Sequence, residues 1–105
     1  MSLFSTAQHI DRRVKGILRG VDGETLSVEE RKAIKQLKLI CNEVKLDVRD
    51  YEYAETRAEQ QKWAASSRRT ISALEALLLE LGGIFGPVDI AELDAQLETM
   101  KEAIS

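Results

Sequence analysis

The chain is poor in the residues that most often carry chemistry or break helices. Among its 105 residues there is one cysteine (Cys41), one histidine (His9) and one proline (Pro87). A lone cysteine excludes an internal disulfide and a thiolate metal cluster within one chain. It suits a reducing compartment, so a cytoplasmic setting is expected. Carboxylate-bridged di-iron bundles need two Glu-x-x-His pairs, which one histidine cannot supply. The longest apolar run is Ala76–Leu79, far short of the roughly 20 residues that cross a bilayer. No apolar signal-peptide core follows the N-terminus. A basic excess is also missing. The formal net charge is −3, whereas dedicated nucleic-acid binders carry surplus cations that displace counterions from phosphate.

Glycine and proline are absent from the whole span between Gly23 and Gly82. Punctuation falls at two places after the first helix, Gly20–Ser27 and Gly82–Pro87, and both read as loops. What remains is helical in period. Leu3, Ala7, Ile10, Val14, Ile17 and Val21 step by four and three, so a helix is expected over about 5–19. Ser27 followed by Glu30 is a capping box that opens a second helix. Ile34, Leu37, Cys41, Val44, Val48 and Tyr51 form its apolar stripe. The stripe resumes at Ala64, Ser67, Ile71, Leu74, Leu78 and Leu81, before Gly82 stops it. Good helix formers fill the interval, so one long helix is expected over 28–81, with Ser66–Ser67 as its weakest point. It would be about 80 Å long. Asp89 and Glu92 open a last helix over 89–104, with Ile90, Leu93, Leu97, Met100 and Ile104 inward. The expected fold is a single all-α domain, a long central helix with a short helix folded back at each end.

Short end helices would leave the middle of the rod bare. The stretch Glu52–Arg69 contains no Leu, Ile, Val, Met or Phe. Its small residues Ala54, Ala58, Gln61 and Ala65 fall on one line, which suits close crossing by a second copy. Charge points the same way. Arg12, Arg13, Lys15 and Arg19 outnumber Asp11 in the first helix. In the last segment Asp89, Glu92, Asp94, Glu98 and Glu102 face only Lys101. An antiparallel homodimer would bring these ends together as mixed four-helix bundles.

No residue set specifies catalysis, metal or cofactor binding. Cys41 lies on an apolar seam, where a thiol is inert. Gly82–Pro87 lacks the Lys-Ser/Thr of a phosphate loop. Tyr53 and Trp63 stand among polar residues, as partner-contacting aromatics do. The function expected is a non-catalytic helical protein–protein interaction module, an adaptor or small scaffold acting as a homodimer. One alternative is regulatory binding of nucleic acid or anionic membrane through Arg12, Arg13, Lys15 and Arg19. A second is an all-α, magnesium-dependent nucleotide pyrophosphohydrolase using Asp47, Asp50, Glu52 and Glu55. Such enzymes hold their acidic pairs on two helices, whereas these lie on one with basic residues interleaved.

Overall fold

The computed structural model describes residues 2–104. Five α-helices make it up: α1 (Leu3–Arg19), α2 (Val28–Glu52), α3 (Arg57–Glu80), the single turn α4 (Gly82–Phe85) and α5 (Pro87–Ala103). No strand occurs among the described residues. The all-α class expected from the sequence is what the chain adopts. No helix among the described residues is long and apolar enough to cross a membrane.

The continuous helix expected over 28–81 is divided, and the division is not at Ser66–Ser67. Helix α2 ends at Glu52, and the Tyr53 amide closes its last turn on the Arg49 carbonyl at 3.0 Å. The chain reverses through residues 53–56. Thr56 then opens α3, its hydroxyl oxygen accepting the Glu59 amide at 3.1 Å. The Glu59 carboxylate reaches back to the Glu55 amide at 3.3 Å, so two donors at the helix start are satisfied. Ser66 and Ser67 both sit inside α3.

Interhelical bonds set the register. Leu3 and Phe4 donate their amides to the Glu52 carboxylate (3.2 and 2.9 Å), and Lys45 reaches Asp11 at 3.0 Å. The start of α1 thus meets the end of α2, and the pair runs antiparallel. Ser66 and Thr70 donate to Asp47 at 2.9 and 3.1 Å, clasping α3 against α2. Arg68 donates to the Ile104 carbonyl at 2.9 Å, and Lys101 lies 2.7 Å from Glu75, so α5 runs back along α3. Arg13 of α1 closes the ring, 2.7 Å from Asp89 and also paired with Glu92 of α5. The result is an up-down-up-down four-helix bundle from one chain, 48 Å in its longest dimension.

The core is built from the stripes read in the sequence. Ala7, Ile10 and Val14 of α1 meet Leu37, Cys41, Val44 and Val48 of α2. Ile71, Leu74 and Leu78 of α3 meet Leu93, Leu97 and Met100 of α5, and Ile104 is buried beside them. Full burial of each large aliphatic side chain contributes about 1.5–3 kcal/mol before entropy is set against it. Gly86, at φ 81°, takes a left-handed conformation that a side chain disfavours, and Pro87 then occupies the first helical position.

The folded hairpin removes the premise for a second copy at the midsection. The two halves of the expected rod cover each other. Charge complementarity between the ends is used within the chain too, through Arg13 and its two carboxylates.

Candidate interaction surface

Of the six large apolar side chains exposed among the described residues, Val28, Leu39 and Leu46 lie on α2 and Tyr53 just past its end, while Leu79 stands on α3 and Val88 on α5. On α2 the buried positions Leu37, Cys41, Val44 and Val48 define the inward face. About half a turn away, at 100° per residue, lie Val28, Lys32, Lys35, Leu39, Leu46, Asp50 and Tyr53. Leu39, Leu46 and Tyr53 repeat every seventh residue, and their exposures are 64%, 40% and 77%. A single exposed leucine means little, but a row of apolar side chains on one outward face is the kind of surface partners use.

Cations precede this row. Arg31, Lys32, Lys35 and Lys38 are exposed on the N-terminal half of α2. Arg31 also donates to the Gly23 carbonyl at 3.0 Å, which tethers the loop before α2. Lys38 shares a shallow groove with Lys15, Leu18 and Arg19 of α1. Glu43 and Asp50 are the acidic residues nearest the outward line, and Asp50 is 3.4 Å from Arg49.

A second concavity lies beside the hairpin turn. Because Arg68 holds the Ile104 carbonyl where α5 ends, the first turns of α3 extend past it. Tyr51, Thr56, Arg57, Gln60, Ala64 and Arg68 line the cleft left there, about 790 Å³ and open to solvent. This is the physical form of the stretch without large aliphatic residues: a turn and an uncovered helix end, with no greasy wall to shield.

The residues picked out in the sequence are dispersed. Ala54 lies in the α2–α3 connection, half-buried, while Ala58, Gln61 and Ala65 are exposed on α3. The turn takes Ala54 off the line, while Ala58, Gln61 and Ala65 keep their spacing on the exposed side of α3. Tyr53 is exposed at the end of α2, but Trp63 is half-buried on α3, with the Lys62 ammonium 5.0 Å from its ring centroid. Of the basic set, Arg12 and Arg19 are exposed. Arg13 is engaged by Asp89 and Glu92, and its hydrogen bond to Asp89 pushes the guanidinium pKa further up. Lys15 pairs with Asp11 at 3.1 Å. Asp11 is itself buried, and one of its oxygens serves both Lys15 and Lys45.

The acidic residues of α2 also have structural partners. Asp47 receives Ser66 and Thr70, Asp50 faces Arg49, and Glu52 caps α1, while Glu55 stands in the turn. No group of three or more His, Cys, Asp or Glu side chains positioned to hold a metal ion occurs among the described residues. Cys41 is buried, and burial pushes its thiol up to about 12, with Asp11 adding to the effect. His9 is exposed on α1.

Sequence reasoning missed Leu39 and Leu46. The signal was present, since both lie off the inward stripe and are seven residues apart. No family model, no curated protein and no solved structure matches this chain.

Proposed function

We propose that this chain is a non-catalytic protein-interaction module that engages another protein through the outward face of α2. The observation that carries this reading is the exposed row Leu39, Leu46 and Tyr53 on a helix whose opposite face is fully committed to the core. Apolar side chains cost little to expose singly, but a partner that covers the row gains about 25 cal/mol per Å² of apolar area removed from water. The side chains with chemical potential have other tasks. Cys41 packs the core, and the α2 carboxylates clasp or cap neighbouring helices.

A second copy as partner belongs to the same reading, although the single chain closes its own core. Ala58, Gln61 and Ala65 would be contacts on α3 for such self-association, since all three are exposed. Binding of nucleic acid or anionic membrane through α1 draws less support, because Arg13 and Lys15 already neutralise carboxylates within the chain.

Affinity capture from native lysate tests the proposal. The wild-type chain is compared with a Leu39→Ser, Leu46→Ser double variant and with an Arg12→Ala, Arg19→Ala double variant. The expected result is a protein retained by wild type and by the arginine variant, and lost with the leucine variant. Equal capture by wild type and the leucine variant rejects the α2 face.

A further inference from the structure

We propose that a second copy of this chain covers the outward face of α2, the two α2 helices lying antiparallel about a two-fold axis that passes between Asn42 and Glu43. The inference rests on the interaction-module reading above and names the partner of that face.

The spacing of the outward residues carries it. Lys32, Lys35, Leu39, Leu46, Asp50 and Tyr53 share the side of α2 opposite the core, and all are exposed except the half-buried Asp50. Successive members are three, four, seven, four and three positions apart, an order that is the same in both directions. An antiparallel copy therefore sets every member of the row level with another member. Leu39 meets the partner's Leu46, Lys35 meets the partner's Asp50, and Lys32 meets the partner's Tyr53. The two-fold makes each pair twice. Helix axes packed about 8–10 Å apart bring residues at one level into side-chain contact.

Charge fixes the direction and the register. Arg31, Lys32, Lys35 and Lys38 precede Leu39, while Glu43 and Asp50 follow it. Turned end for end, the basic half of one row faces the half that holds Asp50 and Tyr53. Ammonium against carboxylate and ammonium against a tyrosine ring are both favourable, and they flank a centre of four leucines. Parallel pairing would set Lys32, Lys35 and Asp50 each against its own copy. Sliding the antiparallel pair by one heptad either puts Lys35 beyond the end of the partner's α2 or sets Lys32 against the partner's Leu46.

The pairing has one unfavourable contact, because the axis brings the two Glu43 carboxylates together. Contact between two single helices also buries less than a standard interface, so association is reversible and in the micromolar to millimolar range. Other occupants match only part of the row. An acidic helix, a phosphate backbone or an anionic membrane suits the four cations but meets Glu43 and Asp50 as like charges.

The test is sedimentation of the full chain across micromolar to millimolar concentration, with amide chemical shifts to locate the contact. The expected result is a monomer–dimer equilibrium with concentration-dependent shifts centred on residues 32–53. Leu39→Ser with Leu46→Ser should weaken it about tenfold or more while helical circular dichroism is unchanged. Lys35→Asp and Asp50→Lys should each weaken it about tenfold, and mixing the two variants should restore it, since each then meets an opposite charge at both sites. Glu43→Gln should tighten it about threefold. Ala58→Glu with Ala65→Glu, on the exposed side of α3, should leave it unchanged.

A chain that stays monomeric at about 1 mM overturns the inference. So does an unrestored mixture, a Glu43→Gln variant that associates less well, or loss of association through the α3 substitutions. Binding of anionic vesicles, RNA or an acidic helical peptide that depends on Leu39 and Leu46 in a monomeric chain assigns the face to that occupant and overturns it too. If self-association fails while capture from lysate still depends on Leu39 and Leu46, the dimer falls and the interaction-module reading stands. If both fail, both fall.

Discussion

Asp47 offers a direct probe of the hairpin, because its two partners lie far away in the chain but within hydrogen-bonding distance. One carboxylate oxygen receives the Ser66 and Thr70 hydroxyls at 2.9 and 3.1 Å. Were α2 and α3 one continuous helix, Asp47 and Ser66 would be about 28 Å apart along the axis and could not interact. Hydrogen bonds to a charged group contribute about 1.5–3 kcal/mol each. The loss on Asp47→Ala should fall near the low end for the pair, about 2 kcal/mol. Thr70 has carbonyl acceptors at Ser66 and Ser67 in reserve, and Ser66 is half-buried and within reach of water. For a chain of this size that corresponds to roughly 8 °C in Tm. The informative quantity is the coupling. Urea unfolding followed by circular dichroism of Asp47→Ala, Thr70→Val and the double variant should give an interaction energy of about 1 kcal/mol. Additivity within about 0.3 kcal/mol would refute the clasp, and with it the register of α3 on α2.

Thr56→Ala should cost about 1 kcal/mol by removing the acceptor that caps the Glu59 amide, read as a lower urea midpoint with an unchanged slope. Stability equal to wild type would mean that α3 does not start there. Cys41 should react slowly with a thiol reagent at pH 8 in the native state and readily once unfolded, because its buried thiol titrates at about 12. An acid whose folded pKa is raised keeps its proton better in the native state. The Cys41 contribution is therefore fully present below the unfolded value of about 8.5 and lost as pH rises from there towards 12. Native reactivity matching that of a free thiol would contradict the burial.

Much of this bundle can be read from residue spacing. Ser27 and Glu30 form the capping box that their spacing announces, with both reciprocal bonds made. The stripes through Ile10 and Val14, Leu37 to Val48, Ile71 to Leu78 and Leu93 to Met100 are the buried core. The turn after Glu52 was missed because nothing between Gly23 and Gly82 breaks a helix by composition. Two signals were nevertheless available. Thr56 and Glu59 have the spacing of an N-terminal cap, here made with the Glu55 amide as second donor. The stripes are also out of phase. Ile71 lies 34 residues beyond Leu37, which on one straight helix would turn it about 160° away. A helix with its apolar faces on opposite sides of its two halves is better satisfied by folding in the middle, which turns both faces inward.

The candidate surface was less legible. Tyr53 could be singled out as an exposed aromatic, but Leu39 and Leu46 stand beside residues of the inward stripe and are told apart only by phase. The assignment of Ala54, Ala58, Gln61 and Ala65 to one seam followed from the unbroken helix. Ordinary helical geometry places Ala58, Gln61 and Ala65 on a solvent face once α3 has its own start at Thr56.

Small-angle X-ray scattering at low protein concentration tests the central claim, that a single chain folds back at residues 53–56 into its own four-helix bundle. The Cα radius of gyration is 14.1 Å, and scattering should return a value close to it, slightly enlarged by side chains and hydration. A rod of about 80 Å, alone or paired with a twin, requires about 23 Å or more, the length divided by the square root of twelve. A value near that figure would contradict the hairpin and the outward α2 face derived from it.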